Sequence, residues 1–315
     1  MGFGLLGGML WGLDTVILGI GLAMAPYIGT PEAVAYAEIA GAFLHDLFCA
    51  VWLFLYMGVR RRLKDTLVAL RTRAGKAVML GALLGGPVGM TGYVVAIANI
   101  GAGYTAIISA FYPAVGAFLA IFLLKERMRA GQIVALLVAL VGVVVMGYTA
   151  SGVSEVANAP LGIAGALCCV LGWGSEAALV AWGMRDEAMD NETAIQIRET
   201  TSALVYAVAV IPLFGAWGFT VQAAPSTATL FIVLAGLAGA SSYLFYYKGI
   251  SRIGAARGMA TNVTYSAWAV VFGLVLLGNV PTAVSIVCCI VIMCGTVLAA
   301  CNWDELFGKK KPAEA

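Results

Sequence analysis

The chain has 315 residues, 62% of them hydrophobic and only 11% charged, where a soluble domain carries roughly a quarter charged residues. A water-soluble fold of this length has nowhere to bury so much apolar surface, so a lipid bilayer is the solvent that suits it. The formal net charge of +2 says little and suggests no nucleic-acid partner; where the charges sit says much more.

A helix needs about twenty apolar residues to cross a bilayer. Such spans are predicted near 3–25, 33–58, 75–98, 104–124, 130–149, 160–183, 193–214, 228–247, 256–277 and 282–301. The fold class is therefore an all-α membrane protein with ten transmembrane helices. The first span opens with Gly4, Gly8 and Gly12 four residues apart and carries Trp11-Gly12-Leu13-Asp14. No Lys or Arg precedes it and its motif recurs later, so it is read as part of the fold rather than as a cleaved leader. The second span holds Glu38, His45 and Asp46 seven or eight residues apart, near one helix face. The third repeats the glycine spacing at Gly81, Gly85 and Gly89, and such faces let helices approach closely. Ile100-Gly101-Ala102 is predicted to turn the chain into the fourth span, where Tyr112 stands. The sixth brings Trp173-Gly174-Ser175-Glu176, and the seventh carries Arg198-Glu199 at membrane depth. The eighth has Tyr243, Tyr246 and Tyr247; Ile253-Gly254-Ala255 then turns into the ninth, with Tyr265 and Trp268. The tail 303–315 includes Lys309, Lys310 and Lys311 and is expected to be disordered.

Charge placement gives the topology. The loop after the second span holds Arg60, Arg61, Arg62, Lys64, Arg71, Arg73 and Lys76; the loop after the fourth holds Lys125, Arg127 and Arg129. Arg185 follows the sixth, and Lys248, Arg252 and Arg257 surround the turn between the eighth and ninth. The opposite loops contain no Lys or Arg. By the positive-inside rule both termini are cytoplasmic, in the inner membrane of a bacterium, with Arg198 the one exception, placed inside a span.

The halves resemble each other: Trp-Gly recurs at 11 and 173, Ile-Gly-Ala at 100 and 253, and a tyrosine stands eleven residues after each of Gly101 and Gly254. This divides the chain into a first five-helix repeat, 1–150, and a second, 160–302. An odd number of spans per repeat requires the second to sit inverted relative to the first, the architecture of many secondary transporters, whose sites lie at the repeat interface near midplane.

Ionisable groups at membrane depth are costly and are functional candidates. Asp14 and Glu176 suggest a cationic substrate or a proton relay, or else carboxyls kept neutral and hydrogen-bonded to a neighbouring helix. Trp11 and Trp173 stand deep in their spans, away from the interfaces where tryptophan normally gathers. With Tyr112, Tyr243, Tyr265 and Trp268 they suggest an aromatic site, because ring faces attract cations and suit a methylated ammonium that has no N–H to donate. His45, Asp46, Arg198 and Glu199 read as a gating or coupling cluster, with His45 able to titrate near neutrality; a buried clamp between the repeats is the competing reading. Seven cysteines without a C-x-x-C, and a single histidine, argue against a metal site or a disulfide framework. No cofactor is expected. No nucleophile, base or metal constellation suggests an enzyme.

At Gly85-Gly86-Pro87-Val88-Gly89-Met90, Ser109-Ala110-Phe111-Tyr112-Pro113, Trp173-Gly174-Ser175-Glu176, Ile197-Arg198, Ser242-Tyr243 with Tyr246-Tyr247, and Asn262-Val263-Thr264-Tyr265 with Trp268, the chain resembles the EamA-type drug/metabolite transporters. Within them it is most similar to the LicB-type choline permeases of bacteria. That resemblance implies choline uptake through a cage of aromatics from both repeats, with Trp11, Trp173, Glu176, Tyr243 and Tyr265 in the cage. Asp14 departs from the pattern, which has a small residue there. The expected function is alternating-access transport of a small organic cation; the alternative is a proton-coupled exporter of amino acids, metabolites or cationic drugs. The bilayer and the cation are the expected partners, and the oligomeric state is open.

Overall fold

The computed structural model describes residues 1–109, 111–126, 128–150, 158–185 and 189–301; the tail 303–315 lies outside the described residues, as do Arg127 and most of the loop from Ser151. Every regular element among the described residues is helical: α1 (Gly2–Leu22), α2 (Pro31–Val59), α3 (Leu63–Ala69), α4 (Arg73–Leu83), α5 (Thr91–Ser109), α6 (Tyr112–Leu123), α7 (Ala130–Ala150) and α8 (Ala159–Gly183). They continue as α9 (Asn191–Val205), α10 (Ile211–Leu213), α11 (Trp217–Ala223), α12 (Thr227–Ile253), α13 (Ala255–Asn262), α14 (Tyr265–Leu277) and α15 (Ala283–Ala300). Among them, nine continuous helical segments are long and apolar enough to cross a membrane, and α6 is a shorter apolar helix. Large apolar side chains point outward as lipid requires, Val34, Val59 and Leu213 among them.

Helix starts are marked in the sequence by side chains that accept the first free N–H groups. Thr30 accepts from Ala33, Thr72 from Gly75, Asn158 from Leu161, Asp190 from Thr193, Ser226 from Thr229 and Thr282 from Ser285. Two spans change pitch midway. Wide turns occupy Leu84–Met90, around Pro87, and Tyr206–Val210. Pro87 has no N–H to donate and its ring would crowd the preceding turn, so the helix widens there.

Packing follows glycine. α1 lies along α12, α5 along α8, and α7 along α15. Gly4, Gly8 and Gly12 face Thr261, Thr264 and the backbone at Tyr265, while Gly81, Gly85 and Gly89 all face α8. Both glycine rows predicted as packing faces have that role.

One predicted boundary is wrong. The helix expected to end near 98 continues to Ser109, so Ile100-Gly101-Ala102 is helical, whereas Gly254 takes φ +86° and breaks the chain. A glycine inside a helix costs only about 1 kcal/mol and does not end it. The interruption falls instead before Tyr112 and Pro113, where proline suits a helix start. The tyrosine correspondence survives: Tyr112 opens α6 and Tyr265 opens α14.

The basic loop after α2 is tied to the start of α9. Arg62 donates to Asp65 (2.8 Å), to Glu192 (2.6 Å) and to Asp190, and Tyr56 donates to Glu192 (2.9 Å). Burial pushes the Asp190 carboxyl up, but the Thr193 N–H and Arg62 outweigh it and hold it below the usual range. Its contribution is therefore complete at neutral pH and lost on acidification through the carboxylate range. Asp190→Ala is expected to cost about 1 kcal/mol at pH 7. Thermal unfolding in detergent should show the gap to wild type shrinking toward pH 4; a gap independent of pH would remove the charge from this explanation.

Candidate functional site

Trp173 and Glu176 stand three residues apart on α8 and so share one face. That face meets the wide turn at Leu84–Met90, where Gly85 lies against the Glu176 side chain and Gly89 against the Trp173 ring. A Cβ on Gly172 would lie 2.3 Å from the Leu84 carbonyl, and one on Gly85 would lie 1.6 Å from Glu176 Oε2. Glycine at these two positions lets the backbones close and leaves space for the carboxylate.

The two Trp-Gly pairs are held alike. A Cβ on Gly12 would lie 2.9 Å from the Tyr265 carbonyl, and one on Gly174 would lie 2.8 Å from the Tyr112 carbonyl. Each glycine thus seats its helix against the start of a broken one. Each neighbouring tryptophan then meets the tyrosine there: Trp11 and Tyr265 have ring centroids 6.3 Å apart, Trp173 and Tyr112 5.8 Å. α12 completes the wall with Tyr243, 4.8 Å edge-on to Trp11, and with Tyr246 and Tyr247.

These seven rings enclose a cavity of about 50 Å³, together with Glu176, Arg198 and Asn262. At roughly 10–15 Å³ per water, this is room for a few waters. Tyr247 OH donates to Glu176 Oε1 (3.3 Å), and Asn262 Nδ2 donates to Tyr112 OH (3.2 Å). Arg198 Nε donates to Glu176 Oε1 (2.6 Å) and Nη1 to Glu199 Oε1 (2.7 Å), and Nη1 stands 3.7 Å from Asp46 Oδ2. The guanidinium carbon lies 4.7 Å from the centre of the Tyr243 ring.

A second acid–base pair lies beside the cavity. His45 Nε2 is hydrogen-bonded to Asp14 Oδ1 (3.0 Å), and His45 Nδ1 is 3.4 Å from Asp46 Oδ1. Ser202 Oγ donates to Asp46 Oδ2 (2.5 Å). The ionisable groups thus run in one buried chain from Asp14 through His45, Asp46 and Arg198 to Glu176, with Glu199 attached to Arg198.

Of the eight residues expected at the substrate site, Trp11, Tyr112, Trp173, Glu176, Tyr243 and Tyr265 line one cavity, joined by Arg198 from the expected gating cluster. Two do not. Asp14 turns to His45 on α2 and does not meet Glu176. Trp268 sits in a separate apolar crevice with Ala267, Cys289 and Met293. Glu38 is exposed, about two turns from His45 along α2, and takes no part. Asn262 appeared in the sequence only as part of a longer stretch, and Ser202 and Tyr93, whose ring is 5.4 Å from Trp173, were not singled out. An amide within an apolar run was the available signal for Asn262.

These features belong to a membrane transporter. The EamA-like transporter family matches residues 1–148 and again 160–301, so the chain is a member of that family. It is 26% identical over 199 residues to protein LicB of Haemophilus influenzae, covering 62% of this chain and 65% of that protein, slightly less than two thirds of its length. A crystal structure with 17% sequence identity superposes with a TM-score of 0.68 over 94% of each chain, which establishes the likeness of fold.

Gly85→Ala is expected to drive a methyl group into Glu176 and to destabilise by about 1–3 kcal/mol. Gly19→Ala, with open space at its Cβ, is the control and should unfold with wild type. Equal melting temperatures for all three proteins would mean that the Gly85 contact places no constraint on Glu176.

Proposed function

We propose that the protein is a permease for choline or a related quaternary ammonium compound, held at a midplane site by ring faces and one carboxylate. The observation that carries this reading is Glu176 in a cavity walled by seven aromatic rings. Such walls replace the hydration of a cation that cannot donate hydrogen bonds, and the carboxylate balances its charge. The resemblance of the sequence to LicB-type choline permeases points the same way.

The architecture we infer is ten spans in two inverted five-helix repeats. It is supported by the two family matches and by the paired Trp11-Gly12/Tyr265 and Trp173-Gly174/Tyr112 contacts. Both termini face the cytoplasm of a bacterium by the distribution of Lys and Arg. Rocking the repeats around the cavity would expose it to each side in turn. One chain supplies the whole cavity, so a monomer suffices. An inside-negative potential drives the cation inward by about 2.3 kcal/mol per charge per 100 mV.

The pair of Asp14 and His45 favours a second reading, proton-coupled export of amino acids, metabolites or cationic drugs, in which these groups exchange protons for substrate. One experiment separates the two. Proteoliposomes are given labelled choline under an inside-negative potential at equal pH, and separately under a pH gradient at zero potential. Potential-driven accumulation is expected, reduced at least tenfold by Trp173→Ala or Glu176→Gln. Flux that follows only the pH gradient would favour the exporter, and no choline flux under either condition would remove the choline reading.

A further inference from the structure

A cation site that already contains an arginine is a contradiction unless the arginine has a task there. Its position gives the task. Arg198 lies over the face of Tyr243 at 4.7 Å and donates to Glu176 at 2.6 Å. Ring face and carboxylate are the two features that the proposed function assigns to the substrate. We propose that Arg198 is a tethered stand-in for the substrate: it occupies the cation position when the carrier is empty and withdraws when substrate arrives. This rests on the cation-carrier reading given above.

The withdrawal has a destination. Arg198 already holds Glu199 Oε1 at 2.7 Å, the second oxygen of Glu199 is buried without a partner, and Asp46 Oδ2 stands 3.7 Å away. Substrate therefore takes Glu176 from Arg198 without leaving the guanidinium unpaired. Breaking a buried ion pair is costly chiefly when one charge is left alone, and here neither charge is. Glu176 is neutralised in both states, by Arg198 when empty and by substrate when loaded. The empty carrier can then reorient with its site compensated, which a net uniporter must do in every cycle and an exchanger need not do.

Arg198 acts on the cycle through Glu176, so it is a positioning residue, and its removal should separate two fluxes. Proteoliposomes containing Arg198→Gln are compared with wild type for choline–choline exchange and for net choline uptake under the same potential. Net uptake should fall at least threefold further than exchange does, and choline should bind at least as tightly, because its competitor is gone. Arg198→Lys keeps the charge but not the planar stack or fork; it should bind choline more tightly than wild type and lower the ratio of net uptake to exchange. If the Gln variant does not fold, the Lys variant carries the test. Equal loss of both fluxes, weaker binding, or an unchanged ratio would overturn the proposal. Wild-type protein that neither binds nor exchanges choline refutes the substrate assignment instead. The role of Arg198 is then read with ethylguanidinium: added to Arg198→Ala it should raise the melting temperature of the variant and leave wild type unmoved. Failure to do so overturns the proposal independently.

Discussion

Four carboxylates, one guanidinium and one imidazole are buried together among packed helices. Their mutual compensation is the constraint on which the rest depends. Asp14, Asp46, Glu176, Glu199, His45 and Arg198 are all buried. Charges in such a place persist only when paired and hydrogen-bonded. Arg198 touches three of the acids, and His45 joins the fourth to Asp46. The cluster thus holds four acids and two bases.

The packing serves this charge cluster. Small residues let α1 and α8 approach the starts of α14 and α6 to backbone contact, which places Trp11 and Trp173 against Tyr265 and Tyr112. Gly85 and Gly86 do the same for charge: a side chain on Gly85 would overlap Glu176, and one on Gly86 would lie 2.0 Å from Ser202 Oγ, which holds Asp46. Without a hydrophobic drive between helices in lipid, such close backbone contact and interhelical hydrogen bonds supply the association. The same glycines therefore hold the helices together and make room for the site.

Much of this was legible in the sequence because the bilayer leaves few options. Nine of the ten predicted spans correspond to helical segments long and apolar enough to cross a membrane among the described residues, and the fourth falls on the end of α5 and the shorter α6; backbone groups in lipid must pair within their own segment. The charged and aromatic residues at depth stood out against an apolar background, and six of the named site residues do line one cavity. What could not be read was rotation about the helix axis. Trp11 and Asp14 are three residues apart, yet one faces the cavity and the other faces His45. Trp268 likewise lies outside the cavity that Tyr265 lines. The run to Ser109 was missed because a glycine read as a turn costs a helix little, whereas the proline that matters lies further on, at Pro113. Arg198 was grouped in the sequence with His45, Asp46 and Glu199; its contact with Glu176 depends on how α8 and α9 meet, which a single sequence does not encode locally.

The claim at the centre is that positive charge, rather than shape, is what the cavity recognises. Calorimetry on the purified protein with choline and with 3,3-dimethylbutan-1-ol, its neutral carbon isostere, tests it most directly. Choline should bind and the isostere should bind at least a hundredfold more weakly, a difference that Glu176→Gln diminishes. Equal affinity for the two ligands would contradict a site built on ring faces and a carboxylate.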